Sequence, residues 1–130
     1  TLSLHDALPI YFRDFAVISL SDRLTPWEKI LKRVECAALA DLSIVLYNPR
    51  SKGRPHNLRM ACEKLLEILP AEHPCGVARN IGREGESRSF MTLEQLRDAD
   101  IDMFSTIFIG NAQTRMIGGN MVTPRGYRDV

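Results

Sequence analysis

The chain has 130 residues, 45% of them hydrophobic and 25% charged, with 17 Lys+Arg against 16 Asp+Glu and a net charge of +1. That is the composition of one ordinary globular domain with its own core, and it excludes a wholly disordered chain. So near neutrality there is no field of the kind that duplex nucleic acid or an anionic membrane surface selects, and any basic site is local. No apolar run approaches the roughly 18 residues needed to span a bilayer, and the N-terminus lacks the pattern of a signal peptide. Cys36, Cys62 and Cys75 form no CxxC pair and read as reduced thiols of a cytoplasmic protein, with Cys36 and Cys62 expected in the core. Neither nucleic acid nor membrane is an expected partner.

Residues 1–12 have neither a clear period nor a capping logic leading into Asp14, and are set apart as a ragged or non-native start to a domain over 13–130. Phe15 to Leu20 is a short apolar run with β-branched residues, ended by Ser21-Asp22, and reads as a buried strand. Thr25-Pro26-Trp27-Glu28 then announces a helix, with Thr25 as N-cap, Pro26 at the first helical position, and Trp27, Ile30, Leu31, Val34 and Ala38 on one face up to about Ala40. Leu42 to Tyr47 is the second strand, expected parallel to the first. Pro55 opens a second helix with Leu58, Cys62, Leu65, Leu66 and Leu69 inward, and Pro70 stops it. Cys75 to Ala78 is the third strand, followed by a polar turn over 79–86. Ser87 to Met91 forms a further strand, and Thr92-Leu93-Glu94-Gln95 has the spacing of a capping box before a short helix ending near Asp98. Phe104 to Ile109 is the last strongly apolar strand, closed by Gly110-Asn111, and Gly118-Gly119 suits a hairpin turn. The fold class is therefore α/β: a single domain with a mixed, mostly parallel sheet of about five strands flanked by helices.

Three apolar strands end in polar turns, Tyr47-Asn48-Pro49, Arg79-Asn80-Ile81-Gly82 and Gly110 to Thr114. In a mostly parallel sheet those turns gather at one edge, where open α/β sheets bind ligands. An asparagine amide donates and accepts at once and matches the edge of an adenine ring; equally, Asn48, Asn80 and Asn111 cap strands and shape turns. Arg50, Arg54, Arg79, Arg83, Arg115 and Arg125 lie in or beside turns. Guanidinium groups there suit a ligand with several carboxylates, or are solvated charges paired with nearby acids. His5, His56 and His73 fall at expected surface or helix-start positions and lack ligand spacing, so no metal site is expected, and no Ser-His-Asp or Cys-His arrangement nominates a catalytic residue.

Taken in order, Ile18-Ser19-Leu20-Ser21-Asp22, Leu24-Thr25-Pro26-Trp27-Glu28, Leu46-Tyr47-Asn48-Pro49-Arg50-Ser51-Lys52, Arg79 to Gly85, Ile109-Gly110-Asn111 and Val122 to Tyr127 resemble the precorrin-3B C17-methyltransferases, of the tetrapyrrole methylase family. The resemblance runs from about Asp14 to Arg128. It implies S-adenosylmethionine as cofactor and methyl transfer to C17 of precorrin-3B, or its cobalt counterpart, with ring contraction in cobalamin biosynthesis. It also implies that the chain matches only the second of two domains, with the first domain as a missing partner, so that this fragment alone is inactive. Carried over residue by residue, Leu46, Tyr47, Asn48, Arg79, Asn80 and Ile81, with Thr106 more weakly, fall where the family holds the adenosine part of the cofactor. A macrocycle ringed by acetate and propionate groups gives Arg50, Arg54, Arg83 and Arg115 a role in substrate binding. A homodimer is expected, and a purely structural or subunit-contact domain is the reading favoured if the strand edge left open by a missing half pairs with a second copy. The alternative function is a non-catalytic module binding a nucleoside or an anionic metabolite.

Overall fold

The computed structural model describes residues 14–122. The 1–12 segment, and the motif residues from Thr123 to Tyr127 with Arg125, lie outside the described residues.

Five strands form the main sheet: β1 (Phe15–Ser19), β2 (Ser43–Tyr47), β3 (Pro74–Arg79), β4 (Ser87–Thr92) and β5 (Ser105–Ile109), in spatial order β1-β2-β5-β3-β4. Three helices, α1 (Trp27–Leu39), α2 (Asn57–Leu66) and α3 (Leu93–Asp98), join them, and a separate hairpin pairs β6 (Arg115–Ile117) with β7 (Asn120–Val122). The α/β class and the five-stranded sheet with flanking helices are as expected from sequence.

The strand directions correct one expectation. The β1–β2 pair is parallel, but β2–β5, β5–β3 and β3–β4 are antiparallel, so the sheet is mixed and mainly antiparallel rather than mostly parallel. The cause is insertion of a returning strand. β1, β2 and β3 all run one way, as a β-α-β-α-β succession should, whereas β4 and β5 run the other way and β5 enters between β2 and β3. Hydrophobicity reports burial and carries no sign of direction. The carboxyl ends of β1, β2 and β3 therefore share an edge with the amino ends of β4 and β5, and the carboxyl end of β5 lies at the opposite edge.

One face of the sheet contributes Ile18, Ile44, Leu46, Cys75, Val77, Ile107 and Ile109 to the main core, packed against Ile30 and Val34 of α1, Leu58, Cys62 and Leu65 of α2, and Leu93 and Leu96 of α3. On the other face Val45, Ala78 and Phe108 are covered by Met121 of β7. β2 and β5 are thus buried on both faces, which is why they read as continuous apolar runs, while the edge strand β4 is polar.

Helix starts follow local chemistry with small shifts. The N-cap of α1 is Pro26 rather than Thr25, with ψ at 142° and its carbonyl accepting from Lys29 and Ile30 N–H. α2 starts at Asn57, two residues after Pro55, because Ser51 and Arg54 first close a tight turn by exchanging both backbone bonds. The Thr92–Gln95 capping box forms in both directions, at 3.2 and 2.9 Å. Gly118 and Gly119, with φ of 59° and 82°, make the two-residue hairpin turn between β6 and β7.

Two burial expectations change. Cys62 is buried as expected, but Cys36 is exposed, because it stands well round the helix from the inward Val34. His73, expected at the surface, is buried and its Nε2 donates to the Gly110 carbonyl at 2.6 Å. A carbonyl only accepts, so that nitrogen carries the proton.

Candidate functional site

Asn48 and Asn80 follow directly on β2 and β3, and both take left-handed backbone, with φ of 52° and 55°. Asparagine is among the few non-glycine residues that tolerate this region. The conformation turns each chain sharply out of the sheet at the same edge. Asn80 N–H donates to the Phe104 carbonyl at 3.3 Å, which fastens the turn after β3 to the start of β5. Asn48 Nδ2 donates to Ser19 Oγ at 3.1 Å, which ties the turn after β2 to the end of β1. Both asparagines therefore shape turns, the bland reading of them; Asn80 keeps its amide without a hydrogen bond among the described residues.

Between these turns lies a groove of about 250 Å³ lined by Tyr47, Asn48, Asn80, Ile81, Arg83 and the 103–106 segment. A second groove, of about 390 Å³, is lined by Ser21, Arg23, Asn48, Arg50, Ser51, Arg54, Asn57, Met103 and Phe104. Asn48, Met103 and Phe104 line both. Met103 and Phe104 are 48% and 53% exposed, so they form an apolar ridge between two polar grooves. The ridge is pinned from below: Asp102 Oδ1 accepts from Phe104 N–H and Ser105 Oγ at 3.0 Å, and Asp102 pairs with Arg79.

The seven residues expected at an adenosine site are brought to one edge, but not all face the same groove. Tyr47, Asn48, Asn80, Ile81 and Thr106 line it. Leu46 is fully buried in the main core, so only its backbone reaches toward the edge, and Arg79 faces Asp102 beside a neighbouring cavity. Among the described residues the backbone N–H groups of Asn48 and Ile81 have no intramolecular partner and are available to a ligand.

The third expected turn is not there. Gly110 to Thr114 follows the carboxyl end of β5 and so occupies the opposite edge, beside Pro74. It is a structural knot: Asn111 N–H donates to Thr114 Oγ1 at 2.9 Å, Gln113 N–H to Asn111 Oδ1 at 2.9 Å, and Ala112 N–H to Asp41 Oδ1 at 2.8 Å. Arg115 belongs with it, its Nη1 donating to the Ala112 and Thr114 carbonyls, each at 2.9 Å. Arg115, expected among the substrate-binding arginines, thus lies at the edge away from Asn48 and Asn80.

Arg50 and Arg54 line the larger groove but are already paired, Arg50 with Asp100 at 3.0 Å and Arg54 with Asp22 at 2.9 Å. Arg83 lines the smaller groove and lies over the Phe104 ring, 5.5 Å from its centroid. A further groove beside α2 and α3 gathers Arg50, Arg59 and Arg97, each of them paired with Asp98 or Asp100. There the hydrogen bond from Arg97 holds the Asp98 carboxyl below its ordinary range and raises the guanidinium in return. Among the described residues no cluster of His, Cys, Asp or Glu could hold a metal ion, and no helix is long and apolar enough to cross a membrane.

Met103, Phe104 and Arg23 line the grooves without having been singled out from the sequence. The signal was present as two large apolar residues immediately before a strand, but it points to the site only once β5 is known to begin at that edge.

A mixed five-stranded sheet flanked by helices is the fold this chain shares with solved tetrapyrrole methylases. The fold matches a solved structure of the methyltransferase CobJ at 37% identity and a TM-score of 0.77, over 86% of this chain and 47% of that one. It also matches a uroporphyrin-III C-methyltransferase from Thermus thermophilus, solved with S-adenosylhomocysteine, at a TM-score of 0.58 over 76% of this chain and 42% of that one; at 14% identity this bears on the fold alone. No family model matches the chain. A probable cobalt-factor III C(17)-methyltransferase of Salmonella typhimurium is 44% identical over 114 residues, and a precorrin-3B C(17)-methyltransferase of a Sinorhizobium species is 41% identical over 119. Each match covers 88% of this chain and 47% of the relative, so the chain spans about half the length of these two relatives. Over the segment it spans, the chain is homologous to cobalt-factor III and precorrin-3B C17-methyltransferases.

Proposed function

We propose that this chain is the cofactor-binding half of an S-adenosylmethionine-dependent methyltransferase that acts at C17 of precorrin-3B, or its cobalt counterpart, with ring contraction in cobalamin biosynthesis. The supporting observation is the edge groove itself. Two strand-ending turns with left-handed asparagines converge there beside unpartnered backbone N–H groups and an apolar ridge.

The residues present fit an adenosine. The Asn48 and Ile81 N–H groups and the Asn80 amide offer hydrogen bonds to a base edge or ribose, and Tyr47 and Phe104 offer flat apolar surface. When bound, the cofactor's sulfonium supplies an already activated methyl group, so the protein's part is alignment and exclusion of water rather than a nucleophile. Tyr47, Asn48, Asn80, Ile81 and Thr106 would hold the nucleoside, and groove arginines without a carboxylate partner would orient an acceptor carrying several carboxylates.

A groove of about 250 Å³ is below the roughly 300–1,000 Å³ of sites that enclose a small molecule, and the outer wall would come from the other half of the protein. The chain is then inactive or barely active by itself, works in the cytoplasm, and assembles as a homodimer in the complete protein. Calorimetry with S-adenosylhomocysteine tests the reading. Binding by the chain, strengthened when the amino-terminal half of a full-length relative is added, supports it; no binding even with that half present overturns it.

A further inference from the structure

We infer that Arg23 and Arg83, rather than Arg50 and Arg54, are the guanidinium groups that take carboxylates of the tetrapyrrole, one in each groove on either side of the Met103–Phe104 ridge. This rests on the function proposed above and assigns its substrate contacts.

A guanidinium whose charge is already offset by a carboxylate gains less from a second anion. Arg50, Arg54 and Arg79 are matched to Asp100, Asp22 and Asp102, and Arg115 to backbone carbonyls. Among the described residues, the cations lining the two edge grooves that have no carboxylate partner are Arg23 in the larger and Arg83 in the smaller. Both are exposed, yet neither is placed at random.

Arg83 is held by its contact with Phe104 and by its own N–H, which donates to the Asn80 carbonyl at 2.9 Å. Arg23 stands on the loop after β1, whose start is anchored where buried Asn57 Nδ2 donates to the Leu20 carbonyl at 2.8 Å. Between them, two large apolar side chains remain half exposed on a loop that Asp102 makes rigid. An apolar ridge flanked by two unmatched cations fits a flat, mainly apolar ring with carboxylates at its rim. Neither a small polyanion nor an uncharged ring uses both features.

The test is a fluorescence titration of the chain with uroporphyrin III, a tetrapyrrole polycarboxylate, at about 150 mM salt so that long-range attraction is screened. R23Q and R83Q are each expected to weaken binding about fivefold, and together multiplicatively. The paired substitution D22N/R54Q, which leaves net charge unchanged, is expected to stay within about twofold. Circular dichroism checks that the variants fold. Native affinity in R23Q and R83Q, an equal loss in D22N/R54Q, or no saturable binding by the native chain would each overturn the inference. S-adenosylhomocysteine binding by R23Q separates the two readings. If it is normal while uroporphyrin binding fails to respond, only the substrate assignment falls; if it is absent in native protein too, the cofactor site falls while the arginine result stands.

Discussion

Replacing Gly110 with Ala separates structure from site. An added Cβ would collide with Cβ, Oγ1 and Cγ2 of Thr114. Thr114 is 2% exposed and its Oγ1 accepts the Asn111 N–H at 2.9 Å, so it cannot swing aside without giving up that bond. Overpacking costs about 1–3 kcal/mol and the lost bond about 1 kcal/mol, for about 2–4 kcal/mol in all. Urea denaturation should show the midpoint falling by that energy divided by an unchanged m-value. A second substitution, T114G, makes room for the methyl and should recover all but about 1 kcal/mol. Because this turn lies at the edge away from Asn48 and Asn80, folded G110A should bind S-adenosylhomocysteine within about twofold of native. A loss of stability under about 0.5 kcal/mol, or a folded variant that has lost the ligand, would refute the assignment of this turn as a structural knot.

Asn80→Ala should destabilise by about 1 kcal/mol and Asn80→Gly much less, since only alanine resists a φ of 55°; both should lose S-adenosylhomocysteine affinity about fivefold with the amide, and equal denaturation midpoints for the two would contradict this. Asn57→Leu leaves the buried Leu20 carbonyl unpaired and should cost about 1–3 kcal/mol, so a midpoint equal to native would show that the Asn57 bond does not anchor this loop. Burial pushes the Cys62 thiol from 9.0 up to about 12, and raises Cys75 as well. The folded state thus keeps the proton that the unfolded chain gives up. The stability this provides is complete below pH 9.0 and is lost as pH rises toward about 12, so the urea midpoint should fall across that window. At about pH 8 a thiolate reagent should modify Cys36 and spare Cys62, and equal labelling rates would contradict the burial.

Much of this fold is legible in one sequence because its signals are local. The Thr92–Gln95 box, the Gly118-Gly119 turn and the inward face of α1 each follow from a few adjacent residues, and each forms where expected. Strand direction is not local. Nothing in Ser105 to Ile109 distinguishes entry from one edge or the other, and that single ambiguity decides at which edge the Gly110 to Thr114 turn and Arg115 lie. The asparagines at 48 and 80 were legible, since the residue that suits a ligand-facing turn also tolerates left-handed backbone. Their neighbours at 103 and 104 were not, because exposed apolar residues declare a purpose only when the surrounding surface is known.

The proposed ligand site lies where β1, β2 and β3 end. Amide shift mapping by nuclear magnetic resonance, with S-adenosylhomocysteine added to the labelled chain, tests it most directly. Changes concentrated at residues 47–48, 80–83 and 103–106, with residues 110–115 unmoved, are the predicted result. Changes concentrated at 110–115, or spread with no focus at Asn48 and Asn80, would contradict it.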